Sequence, residues 1–237
     1  VVTGTPDADA VLAIVALAGL VPKDALEPAF YELVNRHDTD PIGVDLLATE
    51  QGVRLAWFNQ RERLFQNEDG FRKAIGHMVR LLRGEVPAAE LKAVSKSDRG
   101  RRRRAGEGIL ARLDGSGFEL PVPEPGTQPV RRGDAALTHD DARVLVVRST
   151  VWGFDVWYRL APVVVSYAER MAKVTVGCPD EATAEACFGP GGLENAWKVL
   201  GKGWGGRGTI GGSPRGERLS LTAVHETADR LLPLLKG

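Results

Sequence analysis

The stretch from Gly201 to Gly216 limits the conformations of this chain more than any other segment does. Eight of its sixteen residues are glycine, so its backbone can reach positive φ and approach another group closely. Arg207 and Arg215 stand among these glycines, and a guanidinium can donate two parallel hydrogen bonds to a phosphate. With backbone N–H groups beside it, this pattern is typical of an anion-binding loop. An ordinary surface loop is the alternative explanation.

The glycine spacing in this stretch matches neither of the two common nucleotide-binding fingerprints. It lacks the Walker pattern, and no clean G-x-G-x-x-G follows a strand, which excludes a P-loop or a Rossmann site. The residues predicted to bind the substrate are Gly205, Gly206, Arg207, Gly211, Gly212 and Arg215.

The charge balance excludes some classes of protein. The 237 residues carry 31 basic and 31 acidic side chains, so a wholesale binder of nucleic acid or of membranes is not expected. The apolar run from Ala10 to Val21 is too short to span a bilayer, which needs about 20 residues. Two cysteines without paired spacing suit a reducing compartment. We expect a cytoplasmic protein without a membrane partner, and the sequence leaves open whether it is a monomer or a homodimer.

Asp7 and Asp9 precede that apolar run, which is predicted to be a buried helix packed on a sheet. One explanation is helix capping, since carboxylates are favoured at a helix N-terminus. The other is chemistry, because open α/β sheets place their active sites at the carboxyl ends of strands.

A second acidic cluster follows the next helix. His37, Asp38 and Asp40 bring an imidazole and two carboxylates within four residues. A polar turn closed by Asp-Pro explains the cluster equally well. Further on, a helix starting near Asp69 is amphipathic, with His77 on its polar side and therefore predicted to be exposed.

Residues 90–134 are predicted to link two domains, first as a charged helix and then as a Pro- and Gly-rich segment. Arg101 to Arg104 form either a solvated helix face or a patch that steers a polyanion. Residues 135–237 are predicted to form a separate α/β unit. Its strands are expected at 143–148, 162–167 and 173–177, and its helices at 155–160, 180–188, 194–200 and 222–236.

The order of these parts resembles the DHH phosphoesterase superfamily. Asp7 and Asp9 are similar to its first Asp-x-Asp motif, residues 37–40 to a later acidic-histidine motif, and Gly205-Gly206-Arg207 with Gly211-Gly212 to its C-terminal glycine signature. The resemblance implies an α/β fold with an N-terminal doubly wound parallel sheet domain at 1–89. A helical linker at 90–134 would join it to a smaller C-terminal domain at 135–237.

The resemblance also implies a hydrolase that uses Mn²⁺ or Mg²⁺ to cleave a phosphate ester or anhydride in an interdomain cleft. A nucleotide, a short oligonucleotide or polyphosphate would be the substrate. The implied catalytic residues are Asp7, Asp9, His37 and Asp38, and Asp40 joins these four as an implied metal ligand.

Two other functions stay open. Thr3 stands where the family usually has a histidine, and a single histidine replaces the family's pair, which favours a non-catalytic nucleotide- or phosphate-binding protein. Processing of nucleic-acid ends through Arg101 to Arg104 is the third function.

Overall fold

The computed structural model describes residues 7–39, 44–61, 68–122 and 142–236, and shows an α/β protein with one mixed sheet. The chain divides into two compact units, Val1–Arg99 (unit 1) and Gly100–Gly237 (unit 2). The division falls within a helix, inside the segment 90–134 that was predicted to be the linker. Thr3 and Asp40 lie outside the described residues.

The described part of unit 1 is built from helices. They are α1 (Ala8–Leu17), α2 (Pro28–Thr39), α3 (Glu50–Asn59), α4 (Glu68–Leu82) and α5 (Ala88–Glu107), the last of which continues into unit 2. Local signals set their starts: Pro28 opens α2 with a preset φ, and the Thr49 hydroxyl accepts a hydrogen bond from Gly52 N at 3.0 Å to cap α3.

The doubly wound sheet predicted for residues 1–89 is not found in the described residues of unit 1. The predicted helix at Ala10 is present, but α1 buries Val11, Leu12 and Val15 against helices α2, α3 and α4 instead of a sheet. Leu17, on its opposite side, is 79% exposed. Although α1 is apolar on all sides, it packs with one face only. The prediction of a fully buried helix, made from the composition of the stretch, was therefore wrong.

Three helices of unit 1 are joined by a polar contact around Trp57, which is fully buried on α3. The Trp57 indole N–H donates to Glu90 Oε2 of α5 at 3.0 Å, and Arg61 Nη2 lies 2.9 Å from the same oxygen. His77 of α4 packs its ring edge-on to Trp57 with centroids 5.3 Å apart. The prediction of an exposed His77 was wrong, because Trp57 covers the polar side of α4.

Unit 2 holds every strand of the described chain. Its elements after α5 are β1 (Ile109–Leu113), β2 (Val144–Ser149), α6 (Phe154–Trp157), β3 (Val163–Ala168), β4 (Lys173–Gly177), α7 (Glu181–Phe188), α8 (Glu194–Leu200), β5 (Gly205–Gly206), β6 (Ile210–Gly212) and α9 (Thr222–Leu231). The strand order is β1-β2-β3-β4-β6-β5, and only β2 and β3 are parallel. The smaller α/β unit predicted at 135–237 is thus present as a mixed sheet.

The three strands and four helices expected within 143–236 are found close to their predicted positions. Strand β1 was not predicted, because its residues lie in the segment 90–134, whose first part was predicted to be a charged helix. The helix ends at Glu107, and a side chain on Gly108 would collide with the carbonyl oxygen of Arg148 on β2. Gly108 therefore allows the turn that brings β1 beside β2.

The two faces of the sheet are covered differently. On the first face, valines such as Val146, Val165 and Val176 pack under α7, α8 and α9 as one apolar core. On the second face, α6 lies over the sheet, and Tyr158 and Phe154 approach Gly177 of β4 so closely that a side chain there would collide with both rings. Strand residues alternate between these faces.

Candidate functional site

The glycine-rich stretch forms a β-hairpin at the edge of the sheet in unit 2. We define the hairpin as Gly205–Gly212, with β5 and β6 paired through Gly205–Gly212 and Gly206–Gly211. A tight turn closes it, because the Arg207 amide donates to the Ile210 carbonyl at 2.8 Å. β5 is the outermost strand of the described sheet, so no described strand lies beside its free edge.

Most glycines of the hairpin are required by the packing of the protein itself. A side chain on Gly211 would lie 2.6 Å from a ring atom of Trp197 on α8. One on Gly212 would lie 2.7 Å from the Val174 carbonyl, and one on Gly206 would collide with the backbone of β6. These three positions are explained without a ligand.

Gly205 is different. A Cβ at this position would have no atom within 4 Å, and its φ is not in the left-handed region. Neither packing nor backbone conformation demands glycine there. An edge position kept free of a side chain is a place where a ligand can reach the backbone.

Arg207 and Arg215 are exposed, and the structure gives neither guanidinium an ion pair or hydrogen bond to any residue of the described ranges. Arg207 follows Gly205 by two residues, which places both on the second face of the sheet by alternation. All six predicted substrate-binding residues thus lie on the hairpin or within three residues of it. Gly205, Gly206 and Arg207 are the exposed residues of the hairpin.

The acidic residues lie in unit 1. Asp7 holds the N-cap position of α1, where its side chain makes no capping hydrogen bond, although the nearby Ala10 amide opposes the rise in its pKa. Its Oδ1 is buried without a hydrogen-bond partner in the described chain. Burial raises the pKa of Asp7, and the adjacent Asp9 carboxyl raises it further by hydrogen bonding and by its charge. A cation between the two carboxylates would relieve this repulsion.

His37 and Asp38 lie in the last turn of α2. Within residues 7–39, 44–61, 68–122 and 142–236, no group of three or more His, Cys, Asp or Glu side chains is arranged to hold a metal ion. Asp40 is outside those ranges. The donor set therefore fits a metal in part: Asp7 and Asp9 form a pair with an unsatisfied oxygen, and a five-residue site is not assembled among the described residues.

The arginine run on α5 is partly used inside unit 2. Arg101 forms a two-pronged ion pair with Asp155, at 2.7 and 2.8 Å, and also donates to the Trp152 carbonyl. Although burial raises the pKa of Asp155, the Arg101 guanidinium holds it below its usual value. Arg103 lies 3.4 Å from Glu107 one turn later. Arg101 thus fixes α6 to α5, which weakens the prediction of a polyanion-steering patch.

A cavity of about 680 Å³ in unit 1 was not predicted from the sequence. Arg54, only 13% exposed, lies in its wall, 3.1 Å from Glu27 and donating to the Leu81 carbonyl at 2.9 Å. Its other lining residues are Pro22, Asp24, Ala25, Glu50, Leu82, Arg83, Gly84, Val86, Ala88 and Leu91. No periodic pattern marks such a cavity, because its wall combines two turns with the ends of three helices. None of the predicted site residues lines it.

Cys178 and Cys187 are both free and buried, and burial raises the pKa of each thiol. No helix in the described ranges is both long and apolar enough to cross a membrane.

The chain was compared with family models, with curated proteins and with solved structures, and none of the three comparisons gave a match.

Proposed function

We propose that unit 2 binds the phosphate group of a small molecule or short oligonucleotide at the hairpin. The observation that carries this proposal is Gly205, a glycine that neither packing nor backbone conformation requires, two residues from the exposed and unpaired Arg207.

The backbone of β5 supplies the second element of the proposed site. Because the Arg207 amide points to β6, the preceding amide of Gly206 points to the open edge of the sheet. No side chain on Gly205 or Gly206 shields it. An outward N–H beside a guanidinium is a suitable pair of donors for phosphate oxygens.

Isothermal titration calorimetry with AMP tests this site. Arg207→Ala should weaken binding about tenfold or more, since one charge-assisted hydrogen bond contributes roughly 1.5–3 kcal/mol. Arg218→Ala, which removes another exposed arginine of unit 2, is the matched control and should leave the dissociation constant within about twofold. Equal losses in both variants would contradict a specific site.

The Asp7–Asp9 pair favours a second function, hydrolysis of a phosphate ester or anhydride. The resemblance to DHH phosphoesterases stays a prediction, and the unsatisfied Asp7 oxygen is what supports it here. If Mn²⁺ binds this pair, Asp7 and Asp9 would hold the cation, and it would supply a Lewis acid that activates water.

If the Asp7–Asp9 pair is catalytic, we expect turnover of bis-p-nitrophenyl phosphate to depend on added Mn²⁺ and to fall by about 100-fold or more in Asp7→Asn. The non-catalytic alternative makes the opposite prediction. Equal turnover of both proteins would remove the catalytic role and leave a phosphate-binding protein.

A further inference from the structure

A row of polar positions extends from the hairpin across the second face of the sheet. Ser166 of β3 pairs with Thr175 of β4, Thr175 pairs with Gly212, and Gly212 pairs with Gly205. Directly paired residues share a face, so these four positions lie side by side. We call this row the ledge.

The ledge becomes more accessible toward the edge of the sheet. Ser166 is 3% exposed, Thr175 and Gly212 are half-buried, and Gly205 is exposed. The neighbouring row, which contains Gly177, is covered by Tyr158 and Phe154. The side chains of Tyr158 and Phe154 thus cover the row next to the ledge.

The two hydroxyl groups of the ledge have no hydrogen-bond partner among the described residues. The Thr175 hydroxyl oxygen lies 3.7 Å from the point where a Cβ on Gly212 would stand. The glycine therefore leaves open the space in front of that hydroxyl. A hydroxyl without a partner in the protein is satisfied by water or by a ligand.

The charges around the ledge indicate what kind of group fits there. Lys173, two residues before Thr175 on the same face, donates to the Pro214 carbonyl. Arg207 is at the hairpin end. Between Thr175 and Gly205 the ledge itself contributes one hydroxyl group and two glycines and no cationic side chain. A hydroxyl both donates and accepts hydrogen bonds, which matches the hydroxyl groups of a sugar.

We propose that Thr175 binds a sugar hydroxyl group, so that the ligand is a sugar phosphate, including a nucleoside phosphate, and not polyphosphate. This inference rests on the proposed phosphate site at the hairpin. From Thr175 to Gly205 the ledge spans two strand spacings, about 10 Å, comparable with the length of a pentose phosphate.

The test compares ribose 5-phosphate with tripolyphosphate by calorimetry on the full chain. Thr175→Val keeps the branched side chain and removes the hydroxyl, and should weaken ribose 5-phosphate binding about tenfold while tripolyphosphate affinity changes less than about twofold. Ser166→Ala, at the buried end of the ledge and three strand spacings from Gly205, should leave both affinities within about twofold of wild type. Thr222→Val is the control, because Thr222 begins α9 on the other face.

The outcomes separate this inference from the proposed function. If Arg207→Ala weakens binding of ribose 5-phosphate but Thr175→Val does not, the ledge is wrong and the hairpin site stands. Tighter wild-type binding of tripolyphosphate than of ribose 5-phosphate also overturns the ledge. If Arg207→Ala changes neither affinity, the hairpin site itself is wrong. Unchanged unfolding temperatures would show that the variants fold.

Discussion

Glycines that look equivalent in the sequence have different roles in the hairpin. Gly211→Ala should lower the unfolding temperature, because the new methyl group would overlap the Trp197 ring and the Gly205 carbonyl, and overpacking costs roughly 1–3 kcal/mol. Gly205→Ala meets no atom within 4 Å and should unfold within about 1 °C of wild type. Thermal unfolding followed by circular dichroism measures both.

The same pair distinguishes packing from binding. Gly205→Ala should weaken AMP although its stability is unchanged, because the methyl group stands where the ligand would approach. A Gly205→Ala protein with wild-type affinity would contradict the placement of the ligand on this strand.

Asp7 should make unit 1 less stable at neutral pH than at acid pH. The pKa of Asp7 in the folded protein is raised above its ordinary value of 3.8, so the contribution of this carboxyl to stability is fully present below that pH and is lost as pH rises through the folded pKa. Asp7→Asn, which keeps a neutral group, should unfold at a higher temperature at pH 7, by on the order of 1 °C because solvent screens the site. At pH 3 the two proteins should coincide.

Manganese provides the complementary measurement. Mn²⁺ should raise the unfolding temperature of the wild-type protein at pH 7 and leave Asp7→Asn unchanged, because a ligand of the folded state stabilises it. Asp24→Asn, which removes an exposed carboxylate of unit 1, should respond to Mn²⁺ as wild type does. An equal response of wild type and Asp7→Asn would contradict a cation at this pair.

Composition selected the hairpin glycines and arginines as candidate binding residues, because residue type alone marks a flexible cationic segment. Composition did not predict Ser166 or Thr175, since an isolated hydroxyl carries no sequence signal. Only the strand register brings these two side chains into line with Gly205. The difference between Gly205 and Gly211 also depends on Trp197, a distant residue in the chain.

At the scale of helices, the contact between α3, α4 and α5 predicts a response to pH. Burial lowers the pKa of His77, and the charges of Arg61 and Arg80 lower it further. The stability that the neutral His77 ring contributes is present above pH 6.5, the ordinary pKa of a histidine, and is lost as pH falls through the pKa of His77 in the folded protein. The unfolding temperature should therefore fall more between pH 7.5 and 5.5 in the wild type than in His77→Gln.

His225→Gln is the matched control for that experiment. His225 is exposed on α9 in unit 2, so its replacement should leave the wild-type pH response in place. Parallel pH profiles of wild type and His77→Gln would mean that the histidine beside Trp57 does not set this response.

Strands β2, β3 and β4 and the helices within 143–236 were predictable because local signals mark them, whereas β1, β5 and β6 were not predicted. Runs of β-branched residues mark β2, β3 and β4, and Asp180 caps α7 by accepting a hydrogen bond from Thr183 N at 2.7 Å. The partner of α1 was not predictable in this way. Its apolar residues fit a sheet or other helices equally well, and tertiary packing decides between them.

For the whole molecule, the two proposed functions predict effects that can be measured separately. Asp7 of unit 1 would hold a cation for hydrolysis, and Arg207 of unit 2 would bind a phosphate group. Asp7→Asn should lower kcat by about 100-fold or more with little change in KM, and should leave AMP binding within about twofold of wild type. Arg207→Ala should weaken AMP binding about tenfold. Wild-type kinetics in Asp7→Asn together with weakened binding in Arg207→Ala would restrict the protein to phosphate binding by unit 2.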